Sequence, residues 1–234
     1  VVRVYPVVVL AAGVLLAWRF RRGRLALALA ALMLADVALR WLVPTPEAPH
    51  VGTVIARTIA ILLPLSLAAL AFVSERGLLT PVGLRRIWAL LGQAVTVFAI
   101  WLLSAAFPEP TAHALDLALL PPSALAWIPL GQPAALVALA ALAALAGRVL
   151  WRPDAESRGL LWAGVGSVIA LSLVPAGAGD GVTPAAAGTV TLHLANAGLV
   201  LVVAAVESAY AMAYHDELTG LPGRRAFNEA LLRA

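Results

Sequence analysis

The sequence predicts an all-α, polytopic membrane bundle of about seven transmembrane helices, and three observations carry that prediction. Of 234 residues, 62% are hydrophobic and only 12% are charged, against roughly 25% charged in a water-soluble domain. The apolar residues gather into runs close to the ~20 residues that an α-helix needs to cross the hydrocarbon core. Short Arg-bearing or Pro-rich stretches separate those runs.

The runs in chain order are about Val4 to Phe20, Leu25 to Val43, Val51 to Val73, Ile87 to Phe107, Ala134 to Trp151, Leu160 to Pro175 and Thr189 to Glu207. Between them lie Arg21 to Arg24, Pro44 to His50, Ser74 to Arg86, Pro108 to Pro133, Arg152 to Gly159 and the Gly/Ala-rich Ala176 to Gly188. The segment His113 to Leu130 is apolar enough to tempt an eighth span. It carries Asp116 and the Pro121-Pro122 pair, and an eighth crossing would scatter the arginines over both sides. It is expected to be an outer-surface loop with an interfacial piece anchored by Trp127.

Arginine placement sets the orientation. All 16 basic residues are Arg. Thirteen of them fall in or beside the stretches 21–24, 74–86, 152–159 and the C-terminal tail. The positive-inside rule then places the N-terminus outside and the C-terminus in the cytoplasm. The seven Trp residues fall mostly near expected span ends, as an interfacial aromatic belt would.

Several classes are disfavoured. There is no Cys, which excludes disulfides and thiolate metal sites. No closely spaced His pair supports a metal centre. The net charge of +4 sits in Arg clusters beside apolar runs, so membrane lipid rather than nucleic acid is the expected contact. The first run lacks the basic flank and small-residue cleavage site of a signal peptide. A transporter would show repeated halves with matching broken helices, and seven runs divide poorly. A retinal-type receptor needs a Lys in its last span, and the chain has none.

Ionisable residues inside spans are functional candidates by default. Asp36, Arg40 and Arg57 stand out. Counting ~1.5 Å per residue puts Asp36 and Arg57 at about 10 Å depth on neighbouring antiparallel helices. Asp36 and Arg40 are also four apart on one helix face. His193 and Asn196 lie at similar outer depth in the last span. Two readings stay open: interhelical glue, or an outward-facing ligand- or proton-sensing pocket in which His193 reports to the last span. In a third reading, Arg40 snorkels to the outer interface.

The last span does not stop cleanly. Leu199, Val203, Val206, Tyr210 and Ala213 keep a 4-3-4-3 spacing, which is either a bundle-facing stripe or a short coiled-coil seam between two subunits. It leads to His215-Asp216-Glu217-Leu218-Thr219-Gly220-Leu221-Pro222-Gly223-Arg224-Arg225-Ala226-Phe227. Thr219 to Gly223 is turn chemistry. From Arg224 on, Phe227, Ala230 and Leu231 recur at helical spacing. This stretch resembles the opening of the GGDEF domain of bacterial diguanylate cyclases, D-x-L-T-G-L-x-N-R-R-x-[F/A]. Asp216, Leu218, Thr219, Gly220, Leu221, Arg224, Arg225 and Phe227 fall in register.

The resemblance implies a seven-helix membrane sensor region (1–207), a signalling helix or linker (208–214) and the incomplete start of an α/β GGDEF domain (215–234). Complete domains of that family condense two GTP into cyclic di-GMP and release pyrophosphate, one GTP per subunit of a homodimer, with Mg²⁺ or Mn²⁺. Their metal-binding Asp and GG(D/E)EF loop would come after residue 234, so no catalytic residue is carried over. The family Asn that contacts guanine corresponds to Gly223, which has no side chain for that hydrogen bond. Asp216 and Thr219 map to the turn between stalk and domain. A catalytically silent membrane receptor or scaffold is the alternative. A sensor-kinase fragment, prompted by His215 before Asp216 and Leu218-Thr219, matches its phospho-acceptor box poorly.

Overall fold

A computed structural model describes residues 4–43, 49–74, 80–115, 117–125, 127–174 and 184–214. The stretch resembling a GGDEF start lies outside them, and with it Asp216, Leu218, Thr219, Gly220, Gly223, Arg224 and Arg225. Among the described residues the chain is all helical, with no strand. The helices are α1 (Tyr5–Arg19), α2 (Gly23–Trp41), α3 (Pro49–Phe72), α4 (Pro81–Ala106), α5 (Pro108–Leu115), α6 (Gln132–Trp151), α7 (Ala155–Ser172) and α8 (Pro184–Tyr214). One 3₁₀ turn covers Pro122–Leu125.

Among the described residues, four helices are long and apolar enough to cross a membrane: Val51–Phe72, Pro81–Ala106, Gln132–Trp151 and Gly188–Tyr214. Helix α1 is apolar but has 15 residues. Helices α2 and α7, of 19 and 18 residues, carry Arg24, Asp36 and Arg40, and Glu156 and Arg158. The segment after α4 forms the eight-residue α5 and the 3₁₀ turn.

Local chemistry places several helix ends away from the hydropathy boundaries. Helix α4 starts at Pro81, not near Ile87, because the Thr80 hydroxyl accepts from the Gly83 amide at 3.1 Å and Pro81 fits the first helical position. Helix α7 starts at Ala155, not near Leu160, because the Asp154 carboxylate accepts from the Ser157 amide at 2.6 Å. Arg21 closes α1 with a left-handed backbone, φ 60°. The Arg22 amide then reaches the Ala17 carbonyl at 2.8 Å, a helix-ending motif that usually takes Gly at this position.

Helix α8 packs most extensively on α7, and also against α1 and α2; α3 packs against α6, α2, α4 and α7. Lipid tails are as apolar as Leu, so close packing rather than water exclusion holds such helices together. At the α7–α8 crossing a Cβ added to Gly159 would lie 2.5 Å from the Ala204 Cβ. Leu10, Leu29, Leu160, Leu194 and Leu201 are fully buried around these contacts. Helix α4 is the loosest member: of its 26 residues only Gly83, Val97 and Ser104 are buried.

Candidate functional site

The densest polar structure gathers at the arginine-rich end of the bundle. The α1–α2 turn delivers Arg22, and the first turn of α2 delivers Arg24. Glu156 is the second residue of α7, where the helix dipole favours negative charge. Arg22 Nη1 approaches Glu156 Oε1 at 2.6 Å, and Arg24 Nη2 approaches Oε2 at 2.5 Å. The Ser208 hydroxyl of α8 donates to Oε1 at 3.0 Å, and Arg22 Nη2 donates to the Ser208 carbonyl at 3.0 Å. Glu156 is 2% exposed and Arg24 7%, so these charges depend on one another rather than on water.

The same network ties two further helices. Arg24 Nη1 donates to the Ala71 carbonyl at 3.4 Å and Arg148 Nε to the same oxygen at 3.0 Å. Two guanidinium groups thus meet the C-terminal end of α3, where helix carbonyls lack internal partners. Arg148 also faces Asp154 at 3.8 Å. On the outside of the junction, Arg158 pairs with Glu207 of α8 at 2.8 Å. Five helices (α2, α3, α6, α7 and α8) therefore converge on one set of ionic contacts beside the last turns of α8.

The residues singled out in the spans lie toward the opposite end. Asp36 is fully buried, and its partner is Arg40 of its own helix, at 2.9 Å. Neither Asp36 oxygen accepts a well-aligned hydrogen bond, so the contact is ionic rather than directional. Thr191 of α8 stands beside the same carboxylate. Arg57 is half-buried on α3 and borders a small crevice with Pro129, Leu130 and Gly131. The His193 ring nitrogen Nδ1 lies 2.9 Å from the Thr189 carbonyl of its own helix. Asn196 is exposed. The structure thus gathers Asp36, Arg40 and Thr191, places Arg57 and His193 at other contacts, and leaves Asn196 on the surface.

Helix α8 links the two polar centres. Thr191 and Ser208 are 17 residues apart on it, about 26 Å along a straight helix. Sequence reasoning missed Glu156, which sits in the polar run Arg152 to Gly159 and reads as a solvated loop residue. The available signal was a carboxylate two residues after an Asp cap, in a stretch expected on the same side as Arg21 to Arg24. Among the described residues no group of three or more His, Cys, Asp or Glu side chains could hold a metal ion. No protein-family profile, curated protein or solved structure matches the chain.

Proposed function

We propose that this chain is the membrane input region of a diguanylate cyclase, with the cyclic di-GMP-forming domain following α8. The observation that carries the reading is the continuity of α8. It runs unbroken for 31 residues, about 46 Å at 1.5 Å per residue, which exceeds the ~30 Å hydrocarbon core. Among the described residues it reaches Tyr214, two positions before the Asp216 to Phe227 stretch that resembles a GGDEF start. A rigid rod passing from one side of the bundle to the first residues of a soluble domain suits transmission of a shift or rotation.

In this reading α1, α2, α3, α4, α6, α7 and α8 all cross the inner membrane, with the arginine-rich end cytoplasmic. The charges of α2 and α7 are tolerated because they pair inside the bundle. The protein works as a homodimer through α8. Leu199, Val203, Val206 and Tyr210 are 45%, 57%, 48% and 58% exposed on the single chain, so the stripe with coiled-coil spacing faces away from the bundle and is available to a second copy. Tyr210 and Tyr214 stack at 4.2 Å on this extension. GTP and Mg²⁺ or Mn²⁺ belong to the following domain.

The test is the gene product extended through a complete GGDEF domain, purified in detergent and supplied with GTP and Mg²⁺. Cyclic di-GMP is the expected product. A folded, dimeric protein that makes none would overturn the cyclase reading. It would favour the silent receptor, with Gly223 as the first position to convert to Asn.

A further inference from the structure

We propose that the cleft between α2, α3 and α4 binds a lipid-soluble, head-group-free molecule carrying a carbonyl oxygen, of the quinone type. The cleft encloses about 230 Å³. Its walls are apolar except for Ser66 of α3 and Gln93 of α4. Trp41 and Phe98, 79% and 50% exposed, stand on its rim, so the opening faces the surroundings of the bundle, which for helices of this kind is the bilayer.

The polar pair selects the ligand. Ser66 Oγ lies 2.5 Å from the Leu62 carbonyl and 2.9 Å from Gln93 Oε1. A serine hydroxyl has one proton, whereas the Gln amide has two N–H donors and an oxygen. Whichever way the amide is turned, at least one Gln93 N–H has no protein partner among the described residues. An amide donor facing hydrocarbon without an acceptor is costly. A carbonyl oxygen on a bound molecule removes that cost, and an alkane does not.

Depth narrows the class. Gln93 lies six residues beyond Ile87, where the apolar part of α4 begins after Arg85 and Arg86, and so about 9 Å inside the ~30 Å hydrocarbon core. The ester carbonyls of a phospholipid stay by the head groups, outside that core. A molecule that brings a carbonyl to this depth must lack an anchored head group, and an alkyl-substituted quinone does so. This inference requires α4 to span the membrane and is independent of any cyclase activity.

The experiment uses the chain in nanodiscs of uncharged phospholipid, with radiolabelled decyl-benzoquinone as probe and decylbenzene as its carbonyl-free counterpart. One saturable quinone site per chain is expected, with decylbenzene competing at least tenfold more weakly. Gln93→Leu is expected to weaken quinone binding about tenfold, the scale of one hydrogen bond, and to raise the melting temperature of the ligand-free protein. Ala94→Phe, which fills the cleft while leaving Gln93, is expected to abolish saturable binding. The proposal is overturned if wild-type binding is not saturable, if decylbenzene competes equally, or if Ala94→Phe binds as wild type. Retained affinity in Gln93→Leu would also overturn it.

Discussion

Helix α8 passes a buried carboxylate near each of its ends, and the two are held in different ways. Glu156 takes Arg22, Arg24 and the Ser208 hydroxyl, from the α1–α2 turn, α2 and α8. Asp36 takes Arg40, one turn further along its own helix, with Thr191 as its neighbour on α8. An i,i+4 pair satisfies a charge but joins nothing to anything else. The Glu156 contacts fix where α7 and α8 sit relative to α2. The end of α8 that leads toward residue 215 is therefore tied by charge, and the other end is held mainly by packing.

The largest effect expected from breaking this asymmetry is at Glu156. Glu156→Ala leaves Arg22 and Arg24 facing each other without their shared carboxylate, and removing one member of a buried ion pair typically costs about 3–5 kcal/mol. Unfolding of the purified protein in detergent, followed by circular dichroism, should show a loss of that order. A loss below ~1 kcal/mol would mean that water reaches the junction and that it is not the tie described.

How much of this was legible beforehand depends on which coordinate each feature needs. Helix positions require only a run of apolar residues, which hydropathy reports: among the described residues a helix falls in each of the seven apolar runs, and four of these helices are long and apolar enough to cross a membrane. Helix ends are set by caps rather than by hydropathy, so Thr80 and Asp154 begin α4 and α7 within stretches that read as loops. Asp36 with Arg40 was readable because both lie on one helix. Whether Arg57 meets Asp36 depends on the rotation of two helices about their axes, and no one-dimensional pattern carries that angle. Arg57 borders Pro129 to Gly131 instead. Glu156 was hidden for the converse reason: a carboxylate in a polar run looks solvated until the fold brings two arginines to it. The spacing of Leu199, Val203, Val206 and Tyr210 was visible, but only their exposure shows that the stripe points away from the bundle.

A smaller effect is expected at the other carboxylate. Asp36→Asn leaves Arg40, whose side chain retains 20% exposure and which stands one residue before Trp41 at the end of α2. A long Arg side chain so close to a helix end can extend toward the interface. The expected loss is about 1 kcal/mol, well below that of Glu156→Ala, in the same unfolding measurement. Equal losses at the two sites would erase the distinction between a tie across helices and a pair within one.

The smallest effect sharpens the comparison most, because it concerns the same two helices as the Glu156 junction. Arg158 and Glu207 join α7 to α8 at 2.8 Å, a distance close to those inside the junction, but their side chains are 51% and 54% exposed. Solvent-exposed pairs contribute roughly 0–1 kcal/mol, because water already solvates both charges and salt screens them. Arg158→Ala should change stability by no more than about 0.5 kcal/mol, and raising the salt should shrink even that difference. Glu156→Ala should keep most of its effect under the same salt, since buried charges are screened far less. If the two variants instead lose stability in parallel as salt rises, the junction behaves as a surface feature, and the hold on α8 must come from packing such as Gly159 against Ala204.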